Sequence, residues 1–252
     1  MEVNAAMAGE RSTTRTMHGI HRVGPVFYAS LPRDTATPSG YGAIGEEAKH
    51  RLVSTLWDHL VALESPLWIH CRSPNGAALP VKLVRGLLGR PRLLLGEYPG
   101  PAISLSEGGG KIWAALCGDG ADIGIDVAGP DEFPGGYPFH RVFQPCELEH
   151  ALKVAGGELA AASALLWSIK EAVVKAMGCA FHLVEPRQVT VYPAAAGSAG
   201  GDGGYTFPVD LSEKARERFP LAASRSVWVR SLPQRQQWLS IAHWQQRPTV
   251  HE

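Results

Sequence analysis

The chain has 252 residues, 45% of them hydrophobic, and 24 basic side chains balance 24 acidic ones for a formal net charge of zero. That length suits one large domain or two of about 125 residues with enough apolar content for a packed core. A balanced charge without a basic tract argues against nucleic acid as the main partner, and no 18-residue apolar run or apolar stretch behind the N-terminal arginines offers a membrane span or secretory signal.

In chain order, residues 1–17 are polar and read as a disordered leader. Pro32, Pro38, Gly40 and Gly42 give 30–42 a loop composition. From Glu46 to about Glu64, Leu52, Leu56, Leu60 and Leu63 recur at threes and fours, which predicts an amphipathic helix stopped by Ser65 and Pro66. Arg72 to Gly76 is a turn, and Ala77 to Leu88 reads as a second helix carrying Lys82 and Arg85 one turn apart. Arg92 to Tyr98 is a strand closed by Pro99, Gly100 and Pro101. Leu105 and Ile112 to Leu116 are strands around the glycine-rich turn Glu107 to Gly110, which either closes a hairpin or offers backbone N–H groups to a phosphate. Ile123 to Val127 is a short apolar strand, and Gly129 to Pro138 a proline- and glycine-rich mobile loop.

Further on, Pro145 to Val154 is a short helix with proline in its first turn, and Glu158 to Met177 a long one closed by Gly178. Gln188 to Tyr192 is a strand, Ala194 to Gly204 a loop with disorder expected at Gly200 to Gly204, and Ser212 to Phe219 a capped helix. Val227 to Arg230 and Trp238 to Trp244 alternate as strands. The segment Lys111 to Leu116 echoes Gln237 to Ala242, so two similar α+β units are expected, their sheets buried against one another or against their own helices. Neither a Walker loop nor a dinucleotide-binding glycine fingerprint is present. Cys71, Cys117, Cys146 and Cys179 are scattered, with no CxxC and no histidine at metal-ligand spacing, and read as reduced thiols of an intracellular protein.

Two stretches carry chemistry. Trp167, Glu171 and Lys175 fall at i, i+4 and i+8 on one helix face, either as a solvated ion pair beside a packed tryptophan or as a site. Asp126 is an acid inside an apolar strand, which needs an exposed position, a pairing partner or a bound cation. Should strand and helix meet, Asp126 and Glu171 offer oxygen donors of the kind Mg²⁺ takes alongside substrate phosphates and water.

Gly124-Ile125-Asp126, followed by the Trp167-Ser168…Lys170-Glu171…Lys175…Gly178 helix, resembles the 4'-phosphopantetheinyl transferases, in particular the long two-halved type typified by the surfactin-synthetase-activating enzyme. The similarity spans roughly 75 to 245 and includes Ser104 to Leu116. It implies an α+β pseudo-twofold pair of subdomains, 18–122 and 123–252, with the active site in the cleft between them. It further implies Mg²⁺-dependent transfer of the phosphopantetheine arm of coenzyme A to a serine of an acyl or peptidyl carrier protein, releasing 3',5'-ADP, by a cytoplasmic monomer acting without nucleic acid or membrane. Asp126 and Glu171 would hold the metal, with Glu171 and Lys175 catalytic. Ser106, Lys82, Arg85 and Lys175 would bind the cofactor, Trp167 would pack, and Lys170 would touch phosphate or carrier or lie on the surface.

The chain also departs from the family pattern. Ser106-Glu107 stands where Ser-His is usual, Pro99-Gly100-Pro101 stands for Gly-Lys-Pro, Gly76 for an arginine, and Ala128 for the second acid of Asp-x-Glu. These changes imply poor recognition of the coenzyme A 3'-phosphate, which would meet the charge of Glu107. They leave open a binding protein of the same fold that contacts carrier or nucleotide without transfer.

Overall fold

The computed structural model describes residues 19–33, 41–63, 67–133, 138–195, 203–223 and 225–246. The expected leader at 1–17, most of the loop at 34–40 and Gly200 to Asp202 lie outside the described residues. The protein is α+β and built on two antiparallel sheets. The first takes β1 (His21–Val23), β2 (Val26–Pro32), β6 (Ile103–Gly108) and β7 (Lys111–Cys117), in the order β1-β2-β7-β6. The second takes β8 (Ile123–Ala128), β9 (Val189–Val191), β10 (Tyr205–Leu211), β11 (Arg225–Gln234) and β12 (Gln237–Gln246), in the order β8-β12-β11-β10-β9. A small third sheet, β3 (Lys82–Arg85), β4 (Pro91–Leu95) and β5 (Tyr98–Pro99), flanks the first.

The period-2 alternation of strands sorts the core into three layers. On β2 and β7, Phe27, Ala29, Leu31, Ile112, Ala114 and Leu116 pack with α1 (Tyr41–Ala62). The intervening Val26, Tyr28, Trp113, Ala115 and Cys117 meet Ile123, Ile125 and Val127 of β8 and Leu239 and Ile241 of β12. The remaining face of the second sheet packs on α3 (Leu159–Ala176), with α2 (Pro145–Val154) beside it. The order is therefore helix, sheet, sheet, helix, and burying each large apolar side chain contributes about 1.5–3 kcal/mol. The echoing segments become β7 and β12, each an inner strand of its own sheet. Two short helices, α4 (Glu213–Arg218) and α5 (Pro220–Ala223), precede β11.

Several expectations change in three dimensions. Ala77 to Leu88 is not a helix: Lys82 to Arg85 pair in register with Pro91 to Leu94, and Leu88 takes φ 58° in the turn that follows. The loop assigned from Ser30 begins three residues later, because Ser30, Leu31 and Pro32 pair with Trp113, Ile112 and Lys111. Tyr205 to Leu211 forms a strand that its mixed composition did not announce, held between β9 and β11. The buried stripe of α1 keeps Leu52, Leu56 and Leu60 but adds Val53, Trp57 and Val61, while Leu63 is exposed past the helix end. The glycine-rich turn is a two-residue hairpin, Gly109 and Gly110 with φ 60° and 68°, the backbone a primed turn needs. Among the described residues no single helix is long and apolar enough to cross a membrane.

Candidate active site

The Gly124-Ile125-Asp126 pattern has a packing cause. A Cβ on Gly124 would stand 1.9 Å from the Ala172 carbonyl oxygen, so only glycine lets β8 lie this close to α3. Two residues on, along the same face, Asp126 meets the helix. Its Oδ1 accepts from Lys175 Nζ at 2.6 Å and from the Ser106 hydroxyl at 2.9 Å. Helix α3 ends one turn past Glu171 in a Schellman closure: Cys179 N donates to the Val174 carbonyl and Gly178 N to the Lys175 carbonyl, with Gly178 at φ 75°. Lys175 is thus held at the end of a rigid element.

The two sheets meet at the same place. Ser104 Oγ accepts from Ile125 N at 3.0 Å and Ser106 Oγ from Val127 N at 3.3 Å, so hydroxyls of β6 cover the free edge of β8. The Ser106 hydroxyl therefore faces Asp126 and Lys175 rather than the glycine turn, and it is 7% exposed.

Three carboxylates act on one another here. Burial, then the charges of Asp126 and Glu132, pushes the Glu171 carboxyl up to about 7, against the opposing pull of Lys175. Glu132 is raised in turn by burial and by Asp126 and Asp131. Glu132 was not foreseen, and its placement is an aromatic effect. The next residue, Phe133, packs on Phe143 and Trp167 at centroid distances of 5.4 and 5.5 Å, which pins the loop beside Asp126. The sequence signal was present as an acidic pair, Asp131 and Glu132, followed by an aromatic directly after the strand. Ala128 is 1% exposed in the α3-facing core, so the acid missing there has a counterpart four residues later. With one lysine among three acids, Asp126, Glu132 and Glu171 carry surplus negative charge on oxygen donors, the donor chemistry of a divalent hard cation, but as they stand Lys175 holds Asp126 and the three carboxylates do not converge within 4.8 Å of one another.

From Lys175 outward a cavity of about 410 Å³ opens between α1, β3, β6 and the end of α3, lined by Lys49, Arg85, Arg90, Ser104 and Ser106 among others. Lys82 does not line it, and Arg85 reaches it from a strand rather than a helix. Glu107 does not present a bare charge to this cleft. Lys49 bonds it at 2.9 Å and Arg33 at 3.3 Å, and Lys49 also lies 3.4 Å from Glu46. Gly76 sits in an exposed turn at φ 82°, and Gly100 packs against Leu93.

Lys170 is neither a surface nor a cleft residue. It is fully buried, and its ammonium donates to Glu147 Oε2 at 3.0 Å and to the carbonyls of Val142, Pro186 and Val189. Glu147 completes the set by accepting from Gln144 N, as the N-terminal capping box of α2, and from Val191 N. Trp167 packs as expected, tilted on Phe181 at 4.9 Å.

The class to which this arrangement points is matched over part of the chain: the family model of the 4'-phosphopantetheinyl transferase superfamily aligns with residues 122–223, which include Asp126, Glu132, Glu171 and Lys175. Among solved structures, the holo-[acyl-carrier-protein] synthase of Helicobacter pylori in complex with coenzyme A is 14% identical, at a TM-score of 0.38 over 49% of this chain and 99% of that one. The ACPS of Chronobacterium ammoniagenes is 19% identical in its coenzyme A complex and 20% in its apo structure, at TM-scores of 0.38 and 0.40, each over 50% of this chain and 98% of that one. A search of curated protein sequences finds no match.

Proposed function

We propose that this protein transfers the 4'-phosphopantetheine arm of coenzyme A to a serine of an acyl or peptidyl carrier protein, as a cytoplasmic monomer of the two-halved type with halves at 18–122 and 123–252. The observation that carries the reading is the group Asp126, Glu132, Glu171 and Lys175, inside the segment that the superfamily model matches, with Lys175 also lining a cleft whose walls carry both basic and acidic side chains. The separation of β1, β2, β6 and β7 from β8 to β12 into two sheets supports the division into halves.

In this reading the serine hydroxyl attacks the β-phosphorus of coenzyme A. The bond from that phosphorus to the bridging oxygen breaks, and 3',5'-ADP leaves with the electron pair. Glu171, or a water it orders, takes the serine proton. Lys175, between the acids and the cleft, offers its ammonium to the departing phosphate. Asp126, Glu171 and Glu132 would hold Mg²⁺, which when bound neutralises pyrophosphate charge. Lys49, Arg85 and Arg90 line the cleft for the nucleotide end, each paired with an acid (Lys49 with Glu107 and Glu46, Arg85 with Glu46, Arg90 with Asp122), so a phosphate there would draw these cations away from their carboxylates.

A second reading, a non-catalytic protein that binds carrier or nucleotide, draws on Lys175 and Ser106 already closing over Asp126 and on the apolar Ala128. Mass spectrometry of an apo carrier protein incubated with this protein, coenzyme A and Mg²⁺ separates the two. Addition of the arm, lost in Glu171→Gln, supports transfer. Coenzyme A binding with no added arm on any of several carriers supports the second.

A further inference from the structure

Cys117 ends β7, Asp119 lies in the link to β8, and His243 sits on β12 opposite Ile123. Though His243 comes from the far end of the chain, the fold gathers the Cys117 sulfur, a carboxylate oxygen of Asp119 and an imidazole nitrogen of His243 within 4.8 Å of one another. The Cys117 thiol donates to Asp119 Oδ1 at 2.8 Å, and His243 Nε2 lies 3.2 Å from Oδ2. Cys117 and His243 are 0% exposed while Asp119 faces solvent, so two donors are fixed inside the wall and the third stands at its opening.

The backbone around them is held. The Trp68 indole donates to the Gly118 carbonyl at 3.1 Å, Asp119 Oδ1 accepts from Ala121 N at 3.0 Å, and Trp244 N donates to the Asp122 carbonyl at 3.0 Å. The imidazole Nδ1 is buried without a hydrogen-bond partner among the described residues. This ring, with Trp228 against it at 5.1 Å, engages only the nitrogen aimed into the cluster.

We propose that Cys117, Asp119 and His243 form a binding site for a divalent transition-metal ion, Zn²⁺ being the best match to one sulfur, one nitrogen and one oxygen donor. Coordination replaces the thiol proton, which passes to solvent; the imidazole stays neutral with its proton on Nδ1, and thiolate plus carboxylate cancel the dication. The fourth position opens toward solvent on the Asp119 side. Because Nδ1–H then has no acceptor, affinity is lower by about 10–100-fold than for a histidine whose second nitrogen is hydrogen-bonded. The ion would tie the last residue of β7 and the link to β12, joining the two sheets at their covalent junction. The site is separate from the acidic cluster, and the inference does not depend on the transfer reading.

The test uses the full-length, reduced, metal-free protein titrated with Co²⁺, followed by thiolate-to-cobalt absorption, with Zn²⁺ as competitor and by its effect on the melting temperature. A single ion per chain is expected, with absorption unchanged in Cys146→Ser, which removes the exposed cysteine. Cys117→Ala and His243→Ala should lose affinity by about 100-fold or more. Should either fail to fold, Asp119→Asn at the exposed position must lose at least about tenfold while melting like the unmodified protein without metal. Absence of the thiolate band, its persistence in Cys117→Ala, its loss in Cys146→Ser, or unchanged affinity in Asp119→Asn overturns the proposal.

Discussion

Helix α3 carries two lysines five positions apart, each paired with a carboxylate, and the pairs have opposite characters. Lys170 and Glu147 are both 0% exposed and bonded to one another, with three further carbonyls on the ammonium and two backbone N–H groups on the carboxylate. Lys175 and Asp126 are 28% and 10% exposed, open to the cleft on one side and ringed by Glu171 and Glu132 on the other. The first pair joins α2, α3 and β9 and, fully buried, is closed to any ligand. The second is surrounded by more negative charge than one lysine neutralises, and can exchange partners. An ion pair's role here follows from how completely its surroundings satisfy it, since a sealed pair resists loss of either member and an open one is free for chemistry.

The comparison can be broken most forcefully at Lys170. Lys170→Met leaves Glu147 charged and buried without its partner, and should destabilise the protein by about 3–5 kcal/mol in denaturant unfolding. The double variant Lys170→Met with Glu147→Leu should lose less than the two single losses added together, as a coupled pair requires. Simple additivity would show that the pair is not the unit described.

At the open pair the effect moves from stability to turnover. Glu171→Gln should lower the rate of arm transfer by about 10²–10³-fold, within the range for a removed general base, with the melting temperature within a few degrees of the unmodified protein. A large fall in melting temperature would make Glu171 structural in the manner of Glu147.

The raised carboxyl of Glu171 sharpens the contrast through pH. Its folded pKa, about 7, lies above the ordinary 4.5, so between those values the folded state holds more protons than the unfolded one. Stability from this group is therefore full below about pH 4.5 and lost as pH rises through 7. In metal-free buffer the unmodified protein should lose on the order of 2 kcal/mol relative to Glu171→Gln across that window. Parallel curves would remove the electrostatic basis for a base at this position.

The smallest expected effect separates the two basic residues of β3. Arg85→Ala should weaken coenzyme A binding by about tenfold, the value of one charge-assisted contact, while Lys82→Ala, outside the cavity, leaves it unchanged. Equal losses would place the nucleotide end elsewhere.

What the sequence determined by itself were the features whose causes are local. Pro145 and Gly178 mark helix ends by backbone chemistry that acts within a turn, and α2 runs from Pro145 to Val154 as read. The grouping of Glu171 and Lys175 on one face follows from helical period alone, and an acid in the apolar run Ile123 to Val127 already required an exposed position, a partner or a cation. The tertiary structure decided whatever depends on a distant neighbour. Lys82 to Arg85 are extended because Pro91 to Leu94 pair with them, and β10 exists because β9 and β11 supply its ladders. Lys170 and Lys175 are the same residue type on the same helix, and only the position of Glu147 and of the cleft gives them different work. Glu132 reaches the site through the packing of Phe133, and Cys117 meets His243 because the two sheets stack; strand pairing and sheet packing are long-range in sequence, so no local pattern encodes them.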